Sequence, residues 1–310
     1  MTAKILFAAT EKRWTEYEST LREALAAVGI EAKLATSMSA GEVDYIVYAP
    51  NSPVQDFTPY TRLKAVLNLW AGVEAVVHNP TLKAPLARMV DPGLTQGMVE
   101  WVTGHVLRHH LGMDAQIKGQ SGVWDPVVPP LAFERRVGVL GLGELGAACA
   151  RMLAQIGFDV AGWSRSPKAV DGIACHNGDD GLHTVLTRSE ILVLLLPDTP
   201  ATTNLLSSER LALMPKGAVI INPGRGPLID DDALLAALNA GQIGHATLDV
   251  FRTEPLPPEH PYWHHSNVTV TPHIASETRA RYAAKTIAEN VRRGEAGEPF
   301  LHLVDRSLGY

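Results

Sequence analysis

At 310 residues, with 46% hydrophobic and 19% charged side chains, the chain is long enough for two packed domains and too apolar to be disordered. A formal charge of -6, with no basic run longer than two residues, argues against nucleic acid and against a membrane surface as partners. The longest apolar run, 191–197, is far short of the roughly 20 residues of a membrane helix, the first residues do not read as a signal peptide, and Cys149 and Cys175 have no CxxC spacing, so a reducing, cytoplasmic location is expected.

In chain order, β-type runs fall at 4–8, 45–48, 65–69, 136–140, 160–163, 191–196, 219–222, 247–250 and 268–271, with helical patterns between them. That alternation predicts an α/β protein built of doubly wound parallel sheets, and nine strands are too many for one small sheet. Asp91-Pro92-Gly93 breaks the chain before a helical pattern at 96–109, and 118–131 is rich in Gly and Pro without periodicity. A helix is expected at 231–240 with Asp230 as its cap and Gly241 as its stop, and a long final helix is expected to start at Ser276 and end before Gly294. The predicted division is 1–95 with 277–310 as one domain and 96–276 as the other.

The run at 136–140 leads into Gly141-Leu142-Gly143-Glu144-Leu145-Gly146 and then into a helical stretch. Strand, glycine turn and helix in that order suit a dinucleotide: Gly141 permits the turn, Gly143 lets the backbone approach a pyrophosphate, and Gly146 lets helix pack on strand. The helix N-terminus offers N–H groups to the anion. An NAD site would place an acid at the end of the next strand to bind the ribose 2′-OH. Here stand Ser164-Arg165-Ser166-Pro167-Lys168, two hydroxyls and two cations that suit a 2′-phosphate, so NADPH is expected in preference to NADH.

Three later segments place a chemically useful residue just after a predicted strand: Pro223-Gly224-Arg225, Asp249 to Glu254, and Thr271-Pro272-His273. Reduction of a ketone needs a proton at oxygen, which a His can supply near neutral pH. A carboxylate beside it favours imidazolium and orients the ring. His273 and Glu254 fit that pair, while Arg225 would hold a substrate carboxylate and polarise the carbonyl. Singly, each is the kind of residue found on any solvated loop; their joint placement after the glycine loop is what points to a catalytic set.

These residues resemble the D-isomer-specific 2-hydroxyacid dehydrogenases, and within them the glyoxylate/hydroxypyruvate reductases. The resemblance spans about 63–293 and rests on Trp70-Ala71-Gly72-Val73, the glycine loop, Leu196-Pro197 with Thr202, the Arg225 segment, Asp249 with Glu254-Pro255-Leu256-Pro257, and Thr271-Pro272-His273. It implies a Rossmann dinucleotide-binding domain inserted in a flavodoxin-like substrate domain, assembled as a homodimer. It also implies Arg225, Glu254 and His273 as the catalytic set, with Leu196, Pro197, Thr202, Pro223, Gly224 and Asp249 beside the cofactor. Backbone N–H groups of Ala71, Gly72 and Val73 would hold the carboxylate of a small 2-keto acid, and Tyr48 and Trp70 would wall the pocket. Glu74 and Pro223 depart from the usual pattern, and Pro223 removes a backbone donor.

His105 with His109, and His260 with His264 and His265, are spaced suggestively but have no convincing third ligand, so no metal is expected. The alternatives are a dehydrogenase of the same family that takes a larger keto acid or prefers NAD, and a cofactor-sensing corepressor-like binding protein. Long tails would favour the corepressor, and almost nothing is expected outside the two domains.

Overall fold

In the computed structural model, which describes residues 2–309, the elements run β1 (Ala3–Ala8), α1 (Glu11–Ala27), β2 (Ala32–Ala35), β3 (Tyr45–Tyr48), β4 (Ala65–Asn68), α2 (Glu74–Val77), β5 (Leu86–Ala87), α3 (Pro92–His110) and α4 (Met113–Lys118). They continue with β6 (Arg136–Leu140), α5 (Glu144–Ile156), β7 (Asp159–Ser164), β8 (Ala174–Asn177), α6 (Gly178–Arg188), β9 (Ile191–Leu194), α7 (Ser208–Leu213), β10 (Ala218–Asn222), α8 (Asp231–Asn239), β11 (Ile243–Leu248), β12 (Val268–Val270) and α9 (Ala280–Ala296). The described residues of Met1–Leu94 and Glu277–Tyr310 form one compact unit, and Thr95–Ser276 form the other.

The first unit holds a parallel sheet in the order β2-β1-β3-β4-β5, the flavodoxin-like order. Its strands are covered on both faces, so alternate residues enter different cores. Ile5, Phe7, Tyr45 and Val47 pack with Tyr17 and Leu21 of α1 and Ile287 and Val291 of α9. Leu6, Ile46, Tyr48 and Val66 enter a second cluster with Phe57, Val73, Val76 and Val77.

The second unit holds seven parallel strands in the order β12-β11-β10-β9-β6-β7-β8. Counted from β6 this is the dinucleotide-binding order, and the direction of winding reverses between β6 and β9, where ligands of such sheets bind. Val102 and Val106 of α3, with Cys149 and Leu153 of α5, cover one face, and Leu182 and Val185 of α6 with Leu234 of α8 cover the other.

Eight of the nine predicted strands form near their expected bounds, while the run at 247–250 is displaced: β11 begins at Ile243 and ends at Leu248. Three more, β2, β5 and β8, lie at sheet edges: β5 is only two residues long, and β2 and β8 are short and partly exposed, which leaves no apolar run to read. Asp230 caps α8 by accepting from Ala233 N–H at 3.0 Å, and Gly241 takes positive φ beyond it. The final helix needs correction. It starts at Ala280 without a side-chain cap, not at Ser276, and it runs through Gly294 to Gly297, whose φ of 70° ends it. Gly294 lies within the helix without positive φ, close against Tyr45 and Phe300, where a Cβ would not fit. Asp91 caps α3, its Oδ1 accepting from Gly93 and Leu94 N–H, so the predicted break is the helix start.

Candidate active site

The glycine loop follows β6, and its glycines do three different things. Gly141 takes φ of 105° against the Leu195 carbonyl. Gly146 lies under the Gly141 carbonyl, leaving no room for a methyl group. Gly143, the N-cap residue of α5, would carry a Cβ into open space, so the N-terminus of a 13-residue helix is approachable there. Leu142 points inward onto Gly162, so this residue meets a ligand only through its backbone, while Glu144 is exposed at the first turn.

The other expected cofactor residues follow β7 and β9, which flank β6 in the sheet, and β10 and β11, the next two strands beyond β9. Arg165, Ser166 and Lys168 are exposed beyond β7, and Ser164 Oγ donates to the Ser166 carbonyl at 2.7 Å, closing the turn that presents them. Beyond β9, Leu196 is buried and Pro197 partly so; Thr202 Oγ1 donates to the Pro197 carbonyl and accepts from Thr199 N–H, which makes it a pin for this loop. Pro223 and Gly224 are buried at the end of β10.

Arg225 is held by Asn222, whose buried amide donates to the Arg225 carbonyl at 2.9 Å and accepts from Gly224 N–H at 3.1 Å. Asp249 is fully buried beyond β11. Its carboxylate accepts from Thr271 Oγ1 at 2.5 Å and from Ile274 and Ala275 N–H at 2.9 Å, and its carbonyl accepts from His273 N–H. These bonds hold His273 at φ of 55°, a left-handed conformation that costs a non-glycine residue about 1–3 kcal/mol.

His273 Nδ1 lies 2.7 Å from Glu254 Oε2, and Glu254 Oε1 accepts from Phe251 N–H at 2.9 Å. The hydrogen bond to Glu254 raises the His273 pKa; burial and Arg225 oppose it and do not win. Burial alone would raise Glu254, but the bonds from His273 and Phe251, with Arg225 nearby, hold it below the usual carboxylate range. The second unit therefore brings the His273–Glu254 pair together with the Arg225 charge nearby.

In the first unit, Asn68 Nδ2 donates to the carbonyls of Trp70 and Gly72, both at 2.9 Å, and so shapes the turn Trp70-Ala71-Gly72-Val73 after β4. Trp70 is 40% exposed. Tyr48 is a correction: at 1% exposure its ring lies in the core, edge-on to Phe57 at 5.4 Å, and it walls no pocket. A strand that is buried on both faces sends every side chain into a core.

Asn68, Asn222 and Thr271 were missed from sequence. Asn222 alone had a signal, since Asn before Pro-Gly is turn chemistry. The histidines singled out earlier do local work: His260 Nδ1 accepts from Tyr262 N–H, His265 Nδ1 accepts from Asn267 N–H, and His109 shares a hydrogen bond with Thr247. Among the described residues no group of three or more His, Cys, Asp or Glu could hold a metal ion, and no helix is long and apolar enough to cross a membrane. Cys149 and Cys175 are free, and burial pushes the Cys149 thiol up to about 12.

Comparison with known proteins agrees with this geometry. The pattern described as D-isomer specific 2-hydroxyacid dehydrogenase, NAD binding domain, matches residues 103–275. Glyoxylate/hydroxypyruvate reductase A of Yersinia enterocolitica is 40% identical over 276 residues, covering 86% of this chain and 88% of that protein. Among solved structures, a D-isomer specific 2-hydroxyacid dehydrogenase of Xanthobacter autotrophicus in complex with NADPH and MES is 43% identical, with a TM-score of 0.91 and full coverage of both chains. The NADPH-dependent glyoxylate/hydroxypyruvate reductase of Sinorhizobium meliloti, in complex with NADP and sulfate, is 33% identical, with a TM-score of 0.85 and full coverage of both. With a nucleotide-binding sheet, a paired His and Glu beside an Arg, and relatives of this similarity over most of its length, the chain belongs to the D-isomer specific 2-hydroxyacid dehydrogenase family.

Proposed function

We propose that the protein reduces a small 2-keto acid, glyoxylate or hydroxypyruvate, to the 2-hydroxy acid, with NADPH as the preferred reductant. The observation that carries this reading is the His273–Glu254 pair at 2.7 Å with the Arg225 charge beside it. The reduced nicotinamide, when bound, supplies a hydride to the keto carbon. His273, kept protonated by Glu254, gives its proton to the keto oxygen, and Arg225 holds the substrate carboxylate and favours the charge that develops on that oxygen. In the first unit, the turn Ala71-Gly72-Val73, shaped by Asn68, offers backbone N–H groups that suit a carboxylate, with the Trp70 ring beside them.

For the cofactor, the open face at Gly143 takes the pyrophosphate, and Ser164-Arg165-Ser166 with Lys168 takes the 2′-phosphate, since Arg presents a fork of donors. Leu196, Pro197, Pro223 and Gly224 line the neighbouring strand ends. Asp249, its oxygens already bonded, acts near the nicotinamide chiefly by fixing the His273 turn. The protein is a homodimer, a reading supported by the exposed apolar residues between α4 and β6, among them Trp124 at 94% and Val128 at 87% exposure.

The test is kcat/KM for glyoxylate, hydroxypyruvate, pyruvate, 2-ketoisovalerate and phenylpyruvate with NADPH and with NADH. Glyoxylate and hydroxypyruvate should lead, pyruvate should follow, and branched or aromatic acids should come last. A lead for a branched or aromatic acid overturns the substrate reading, and no turnover with any keto acid overturns the enzyme.

A further inference from the structure

Between Phe251 and Glu254 lies Arg252, which the chemistry so far leaves without a role. Its guanidinium donates to the Asn204 side-chain oxygen and to the carbonyl of Ile229, and reaches the carbonyl of Pro227 at 3.5 Å. Its Nε lies 3.4 Å from Asp231 Oδ2, and Asp231 Oδ1 accepts from the buried Tyr262 hydroxyl at 2.9 Å. Burial and the Asp231 charge push the Tyr262 pKa well above its usual value, so this hydroxyl remains a donor. Asn204, at φ of 53°, donates its own N–H to Pro227 at 2.8 Å. One side chain therefore touches the loops that follow β9, β10 and β11 in the second unit.

The two turns also meet through backbone. A Cβ on Gly226, the residue after Arg225, would overlap the Phe251–Arg252 peptide. Phe251 N–H is also the second partner of Glu254. The placement of Glu254 relative to Arg225 thus depends on a close peptide contact that Arg252 closes from outside.

We propose that Arg252, braced by Asp231 and Tyr262, is a positioning residue that holds the Glu254–His273 pair in register with Arg225. The proposal rests on the reading of His273 as proton donor and adds a residue to it. A planar fork suits the task because it serves acceptors on separate loops at once, which a lysine ammonium does not.

The test compares Arg252→Ala, Arg252→Lys and Tyr262→Phe with the unaltered chain, using titration of the His273 ring by NMR on histidine-labelled protein, NADPH binding, and keto-acid turnover. In Arg252→Ala the raised His273 pKa should fall back toward an ordinary histidine value and kcat should drop about 10²-fold, as for a small misplacement of a catalytic group. NADPH binding should persist. Tyr262→Phe and Arg252→Lys should each shift the titration part of the way. In a Glu254→Gln background, Arg252→Ala should cost little more, because the two act as one unit. An unchanged His273 titration in Arg252→Ala, or losses that multiply fully in the double variant, overturns the proposal. Should Arg252→Ala fail to fold, an unchanged titration in both Tyr262→Phe and Arg252→Lys overturns it equally. Absence of keto-acid turnover in the unaltered chain would instead sink the functional reading, and the titration would still decide the role of Arg252.

Discussion

His273 is a half-exposed ring whose pKa is raised chiefly by the Glu254 carboxylate at 2.7 Å, against burial and Arg225. Replacing it by Gln should lower turnover by about 10²–10⁴-fold while cofactor binding survives; full activity in that variant refutes the assignment. Because Glu254 raises the His273 pKa, the protonated donor is present below the raised value and is lost above it. Keto-acid reduction should therefore decline as pH rises through that value, and in Glu254→Gln the decline should begin at lower pH. A pH–rate profile of the two proteins decides this, and coincident profiles count against Glu254. In the proposed reading the NADPH preference rests on Arg165, so Arg165→Ala should weaken NADPH by about ten- to a hundredfold and leave NADH nearly unchanged. Equal losses for both, measured by fluorescence titration, would remove the 2′-phosphate contact.

At the scale of elements, α3 packs on β11 and β12 through a polar seam. His109 Nε2 meets Thr247 Oγ1 at 2.9 Å, His245 Nε2 meets Thr269 Oγ1 at 2.9 Å, and the two rings lie 4.8 Å apart. Burial, with neighbouring cationic groups, depresses His109 to about 3 and His245 to about 4. The unfolded chain takes up protons near the ordinary value of 6.5 and the folded chain does not, so stability should fall as pH drops from there toward 3–4. His109→Gln and His245→Gln keep a polar group at the seam and cannot titrate. Their denaturation midpoints should fall less between about pH 7 and pH 5 than that of the unaltered chain, and equal falls would place the acid sensitivity elsewhere. The helical period of α3 was legible in sequence, but this seam was not, since strands buried on both faces carry no polar-apolar alternation to say what meets the helix.

For the whole molecule, the exposed apolar residues Ile117, Val123, Trp124, Val127, Val128, Leu131 and Phe133 stand close together along the chain. In the proposed homodimer a second copy would bury this segment. Trp124→Ser combined with Val128→Asp should convert a dimer to a monomer in sedimentation analysis. An unaltered chain that already sediments as a monomer, or a double variant that stays dimeric, refutes the assignment of this surface.

The sequence by itself determined the strand-rich alternation, the glycine turn after β6, and the residues Arg225, Glu254 and His273. Apolar runs, glycines with positive φ and residues just after strands are local properties, and local physics writes them into order and spacing. Tertiary structure decided the rest. Edge strands β2, β5 and β8 depend on neighbours for their hydrogen bonds, and Gly294 is a close-packing glycine inside α9, not a helix stop, because Tyr45 and Phe300 leave no room there for a Cβ. Tyr48 turns into a core and not toward a ligand because both faces of its sheet are covered. Asp249 takes its role from the N–H groups of Ile274 and Ala275, which only the fold brings within 2.9 Å of its carboxylate. A buried polar side chain is defined by its partners, and partners distant in sequence are fixed only when the chain has packed.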